Sequence, residues 1–219
     1  MRYSKLLAAG LAVATAAWIL SASIAVPILL RPFYYCQINP LGLVDSTGLS
    51  REDIRKAYDE MMDFCTGRTA TFSTGSLPWS QAGKAHFVDV RNLFLLDLCC
   101  AAAAGAILLG WAVLRPNVRV RPYRLRGRGF AFWGSMGLGL CFLIIGGLAA
   151  LDFERAFLLF HALFFPGKDN WMFDPRRDAI INILPQAFFF HCAIFILTLI
   201  LLMCLICILF DFQGQKDGS

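Results

Sequence analysis

Four stretches of this chain, residues 6–30, 92–114, 130–151 and 187–210, are long, apolar and nearly free of charge. At ~1.5 Å of rise per helical residue each one crosses a hydrocarbon core of ~30 Å. Composition agrees: 58% of residues are hydrophobic and 16% charged, where a soluble domain has about 25% charged. The reading is an all-α integral membrane protein with four transmembrane helices, one membrane domain over residues 1–219. Residues 153–165 do not make a fifth span, because the run is short and carries Glu154, Arg155 and His161.

Short cytoplasmic loops collect Lys and Arg, which sets the orientation. The 115–129 loop holds Arg115, Arg119, Arg121, Arg124, Arg126 and Arg128 and no acid. Segment 31–91 balances seven basic residues with seven acidic ones, and segment 152–186 has four basic and five acidic. The expected arrangement is a multi-pass membrane protein with both termini and the 115–129 loop in the cytoplasm. Segments 31–91 and 152–186 then form an extracytoplasmic cap. On this reading the net charge of +5 reports topology, and no nucleic-acid partner is implied. Ser23-Ile24-Ala25 has the small-residue spacing of a signal-peptidase site, but the apolar run is longer than the ~7–15 residues of a signal core, so an uncleaved anchor is expected.

Local signals organise the cap. Ser50 with Asp53 forms a weak capping box, and Ile54, Ala57, Tyr58, Met61, Met62 and Cys65 fall at helical spacing behind it. Thr69, Thr71, Phe72 and Ser73 allow a short strand in residues 66–80. Ser80 is placed to cap a helix that starts near Gln81 and runs through His86 and Asp89 into the second span. Helix 152–165 breaks at Pro166-Gly167, and Asp174-Pro175 opens a second helix from about Arg176 to Leu184. Within the spans, Ala106/Gly110, Ser135/Gly139 and Gly146/Ala150 allow close helix packing.

Of the three histidines, His86 and His161 fall in the two cap segments at a similar depth. Imidazole titrates near neutrality and moves protons, as acyl transfer between oxygen and nitrogen requires. The competing reading is structural, with His86 bonded to Asp89 and His161 packed among phenylalanines. Asp89, three residues after His86, is placed to orient its ring. His191 reads as a buried polar anchor. Asp97, a carboxylate inside a span, reads either as the floor of a polar pocket or as half of an interhelical hydrogen bond. No metal motif and no cofactor site is evident. Cys36 and Cys65 both lie on the outer side, where a disulfide would staple the cap. Cys204 and Cys207 have redox-like spacing, so a four-span thiol oxidoreductase is an alternative, although apolar surroundings suppress thiolates. A non-enzymatic tetraspan adaptor is a third.

Two stretches, FSTGSLPWSQAGKAHFVDV over residues 72–90 and FHALFFPGKDNWMFDP over residues 160–175, are followed by Asp178 to Pro185 and an aromatic run. In these motifs and in its four-span layout the chain resembles the bacterial lipoprotein intramolecular transacylases. The resemblance implies a membrane acyltransferase of the bacterial plasma membrane, without a cofactor and with its active site at the extracytoplasmic interface. Its substrate would be a diacylated lipoprotein held in membrane lipid, whose sn-2 acyl chain moves from the diacylglyceryl group to the α-amine of the same cysteine. The product is the lyso-form lipoprotein. The two essential histidines of the family match His86 and His161. On this basis His86 is expected to take the amine proton with Asp89 supporting it, while His161 steadies the tetrahedral oxygen, and the two roles are interchangeable. Asn170 and Ser80 are expected to assist as oxyanion donors. Trp171, Phe157, Phe160 and Phe164 are expected to hold glyceryl and acyl portions. The cysteine count and Met172 depart from the family pattern, and nothing in the sequence sets an oligomeric state.

Overall fold

The computed structural model describes residues 2–216. In chain order the elements are β1 (Arg2–Ser4), α1 (Lys5–Leu29), α2 (Arg31–Tyr35), α3 (Leu43–Thr47), α4 (Arg51–Cys65) and α5 (Gln81–Leu114). They continue with β2 (Val120–Pro122), α6 (Phe130–Leu151), α7 (Phe153–Phe164), a 3-10 turn (Ala179–Ile183) and α8 (Gln186–Lys216). Helices α1, α5, α6 and α8 are long and apolar enough to cross a membrane. Their large side chains point outward in number, among them Leu109, Leu140, Leu143, Ile144, Leu202 and Leu205, as expected where the surrounding medium is lipid.

The chain divides into two compact units. One comprises the described residues up to Ala25, Asp97–Leu148 and the residues from Ile196 on. Its centre is Ile19, Ile200 and Cys204, with Leu20, Leu138, Phe142, Met203 and Cys207 packed around them. Ser23 satisfies its hydroxyl on the Ile19 carbonyl at 2.7 Å. Helix α6 meets its neighbours through small residues. A Cβ on Gly134 would collide with the Ala12 carbonyl, and one on Gly146 would lie 2.5 Å from Leu197. Ser135 is fully buried and Gly139 faces Cys204, whereas Gly110 of the Ala106/Gly110 pair faces open space.

At one end of this unit β1 pairs in parallel with β2, Tyr3 opposite Arg121. Asp211 accepts the Gly129 N–H at 3.0 Å and faces Arg124 at 3.6 Å and Arg128 at 3.5 Å. The arginine loop is thus tied to the chain's start and to the end of α8. Among the described residues the strand pair forms here and not in residues 66–80.

The other unit comprises Val26–Leu96 and Ala149–Phe195. Ser50 caps α4, accepting the Asp53 N–H at 3.1 Å and donating to its carboxylate at 2.6 Å. The apolar stripe of α4, Ile54, Ala57, Tyr58, Met61, Met62 and Cys65, is buried throughout. Tyr34 stacks on Tyr58 at 3.8 Å and donates to the Ile183 carbonyl at 2.8 Å. Helix α2 runs back along α4: Arg31 bonds Asp63 at 2.8 Å, and the Tyr35 carbonyl accepts from Arg51. Cys36 therefore lies near the start of α4, and Cys65 ends it about 20 Å further on at ~1.5 Å per residue. The expected disulfide does not form: Cys36 is an exposed free thiol and Cys65 a buried one.

Residues 66–80 form turns in place of a strand because side chains take their hydrogen bonds. Glu60 accepts from Ser73 Oγ at 2.5 Å and from the Gly75 N–H at 2.9 Å. Arg91 donates to the Phe64 and Thr69 carbonyls. Gly75 turns the chain at φ +62°, a conformation that costs glycine little. The helix expected over 176–184 shortens to the 3-10 turn. Asp174 gathers the N–H groups of Arg176, Arg177 and Asp178 into one turn, and the Ala179 N–H leaves it for the Pro78 carbonyl at 3.1 Å.

Candidate active site

Ser80 caps α5, accepting the Gly83 N–H at 3.0 Å. Its own N–H and hydroxyl both donate to Asp178, at 2.7 and 2.9 Å. With that proton committed, the Ser80 hydroxyl is not the oxyanion donor expected from the sequence. The cap fixes where α5 begins, and with it the position of His86 in the second turn.

His86 is 5% exposed. The rings of Phe165 and Phe173 stand against it edge-on at 4.9 and 5.4 Å. Its Nδ1 is buried and has no hydrogen-bond partner among the described residues. Asp89 does not bond to it. That carboxylate accepts from Lys168 Nζ at 2.6 Å and Asn170 Nδ2 at 3.4 Å, because the 165–172 loop brings a full positive charge within reach, which a neutral imidazole cannot match.

His161 sits one turn before the end of α7, whose first turn is capped by Asp152 through the Arg155 N–H. It is 7% exposed, wedged between Phe157 at 4.3 Å and Trp171 at 4.4 Å. Its centroid is 6.0 Å from that of His86. His161 Nδ1 lies 2.8 Å from the Phe157 carbonyl. A carbonyl only accepts, so Nδ1 carries the proton and Nε2 presents a lone pair. Burial holds the imidazole below its ordinary pKa, since the charged form loses its hydration.

The loop after α7 turns at Gly167, φ +71°. Trp171 donates its indole N–H to the Lys168 carbonyl at 3.0 Å, which holds the ring against His161. The loop and α5 line a shallow, open depression of about 520 Å³ at Ala85, Val88, Asp89, Lys168 and Asn170. Phe160 and Phe164 pack on each other at 4.7 Å and stay half exposed on α7 beside the more exposed Leu163.

The structure thus brings His86, His161, Asp89, Asn170, Trp171, Phe157 and Phe160 together. Asp97 belongs to the other unit, where it meets Ser21 of α1. His191 is bonded to Gln37 at 2.7 Å, yet its side chain is exposed. Cys204 and Cys207 are unbonded packing residues. Lys168 and Phe173 were not singled out in the sequence, although both lie in the 160–175 motif. Among the described residues no cluster of His, Cys, Asp or Glu is arranged to hold a metal ion.

Four apolar helices with a buried histidine pair define an integral membrane protein with the elements of a proton-transfer site. The family model for lipoprotein intramolecular transacylase Lit matches residues 9–189, and the chain belongs to that family. It is similar to the solved structure of the membrane integral lipoprotein intramolecular transacylase Lit from Bacillus cereus, with TM-score 0.84 and 28% identity over 97% of this chain and 96% of that one. A variant of the same Bacillus cereus protein, with a histidine replaced by alanine, matches with TM-score 0.79 and 26% identity over 98% and 95% of the two chains. No curated protein sequence matches significantly. The chain is accordingly an enzyme of the transacylase class, set in a membrane by several spans.

Proposed function

We propose that this chain moves the sn-2 acyl chain of a diacylglyceryl-cysteine lipoprotein onto the α-amine of the same cysteine, with His86 and His161 handling the reacting atoms. The observation that carries this is the pairing of two buried imidazoles 6.0 Å apart, one of them fixed in a single tautomer by the Phe157 carbonyl.

That tautomer supports the opposite division of labour to the one first expected. The amine nitrogen attacks the ester carbonyl, an N–C bond forms, and the carbonyl electrons move onto oxygen. One amine proton passes to Nε2 of His161. The carbonyl reforms, the C–O bond to glycerol breaks, and the same proton leaves His161 for the glyceryl oxygen. His86, in the tautomer with its proton on Nδ1, donates to the tetrahedral oxygen as a neutral imidazole, a role in which it need not ionise. Atoms and charge balance without an acyl-enzyme, because donor and acceptor are on one molecule.

Phe157, Phe160 and Phe164 on α7 are the acyl-binding face, open towards lipid, and Trp171 is the platform for the glyceryl group. The arginine-rich 115–129 loop supports cytoplasmic termini and a site on the extracytoplasmic side.

The test is mass spectrometry of N-terminal lipopeptides from a host that makes only diacylglyceryl lipoproteins, with and without this chain. The expected result is unchanged total mass with one acyl group relocated from glycerol to the amine. Unaltered diacylglyceryl lipopeptides despite good membrane expression would overturn the reading.

A further inference from the structure

Asn170 is suited by residue type to donate to an oxyanion, but one of its two amide N–H groups is turned to Asp89 instead. Its NH2 half faces Asp89 Oδ2 at 3.4 Å, and flipping the amide would set oxygen against a carboxylate, so the orientation is determined. Its Oδ1 is buried and without a hydrogen-bond partner among the described residues. Buried acceptors are normally satisfied, so an orphan one residue before Trp171, which packs on His161 at 4.4 Å, points to a group that arrives with the substrate. That group must be a donor. An ester, a glyceryl alkoxide and an oxyanion offer none, whereas a neutral primary amine brings two N–H groups.

We propose that Asn170 Oδ1 binds the substrate's α-amine, accepting the N–H that is not given up to His161. The inference rests on the acyl-transfer reading above and assigns the recognition of its nucleophile. The N–H held by Asn170 is the one that survives in the product amide, so the contact persists along the reaction coordinate and fixes the direction of the nitrogen lone pair. The two orphan groups of the site then have complementary uses: His86 Nδ1 faces the acyl oxygen and Asn170 Oδ1 the amine. An oxyanion at Asn170 would be repelled, which disfavours binding the ester the wrong way round.

The loop is built to hold that oxygen still. Both oxygens of Asp89 are engaged, one by Lys168 at 2.6 Å and the other by Asn170. Trp171, the next residue, is packed on His161 at 4.4 Å. Asn170 and Asp89 also line the open depression beside Ala85. Lys168 is in this scheme a positioning residue.

The experiment compares initial rates of the purified protein on two synthetic diacylglyceryl-cysteine lipopeptides, one with a free α-amine and one with an N-methyl α-amine. The methylated amine keeps only the N–H that the base removes. Asn170→Ala is expected to slow the primary amine by about 10- to 100-fold, the size of one hydrogen bond to a buried group, and the N-methyl amine by under about 3-fold. Equal losses on both substrates would mean a structural role and overturn the proposal. Asn170→Leu, similar in shape and without an acceptor, replaces the alanine variant if the latter melts early, with the same two outcomes. His161→Ala is run alongside: if it stays active on the primary amine, the acyl-transfer scheme itself fails, an outcome distinct from failure at Asn170 alone.

Discussion

Replacement of His161 by alanine is expected to lower kcat by about 10²- to 10⁴-fold, the usual contribution of a positioned general base, with a much smaller effect on KM. The argument is the Nδ1 contact to the Phe157 carbonyl at 2.8 Å, which leaves Nε2 as the proton acceptor and keeps the ring from turning. Removing the ring also opens a slot between Phe157 and Trp171, and added imidazole should refill it and restore part of the rate. His86→Ala is expected to cost about 10²- to 10³-fold, as for loss of one oxyanion donor, without rescue of the same kind. Full activity of either variant in a single-turnover lipopeptide assay would remove that residue from the mechanism.

The same assignment fixes the pH profile. Burial lowers the His161 pKa, so its neutral, proton-accepting form is present above the lowered value and is lost as pH falls through it. The attacking α-amine must also be neutral, with an ordinary pKa of ~7.7–8.0. The logarithm of kcat/KM should therefore rise with slope two at low pH and slope one at intermediate pH. The lower break should fall beneath the ordinary imidazole value of ~6.5, and the upper one near that of the amine. His161→Ala should erase the lower break and leave the upper. A lower break above ~6.5 would contradict a buried, neutral His161.

What was legible in the sequence is what short-range rules encode. The four spans, the α4 stripe behind Ser50 and the Asp152–Phe165 helix depend on periodicity and on caps within three or four residues. The histidine pair was legible because each ring lies at a depth set by its own segment. Contacts distant along the chain were not. Lys168 takes Asp89 from 79 positions away, and Asp178 takes Ser80 from 98, so the nearest neighbour in sequence, His86, lost the contest for Asp89. The missing strand has the same origin, since Glu60 and Arg91 claimed the backbone groups of residues 64–75. The cysteines misled because sharing a side of the membrane does not bring two residues together along a helix.

Asp178→Ala is the substitution expected to destabilise the cap most. Asp178 is 6% exposed, and its two oxygens hold the N–H and hydroxyl of half-buried Ser80, so the truncation strands two partly buried donors and removes a negative charge from the start of α5. Together these are worth about 2–5 kcal/mol, a fall in Tm of roughly 5–15 °C for a chain of this size. Gly83 supplies the check. It is helical, where alanine is ordinarily better than glycine by roughly 1 kcal/mol. Here, though, a Cβ would run into Asp178 Oδ1 and come within 3.3 Å of Phe173. Gly83→Ala should therefore destabilise the native protein and yet be neutral or stabilising in the Asp178→Ala background, a reversal of sign in a double-mutant cycle read by thermal melting. Because the Ser80 cap sets the register of α5, each single variant should also lose transacylation in proportion to the displacement of His86. Additive effects of the two substitutions would show that Asp178 does not hold the start of α5 through this contact.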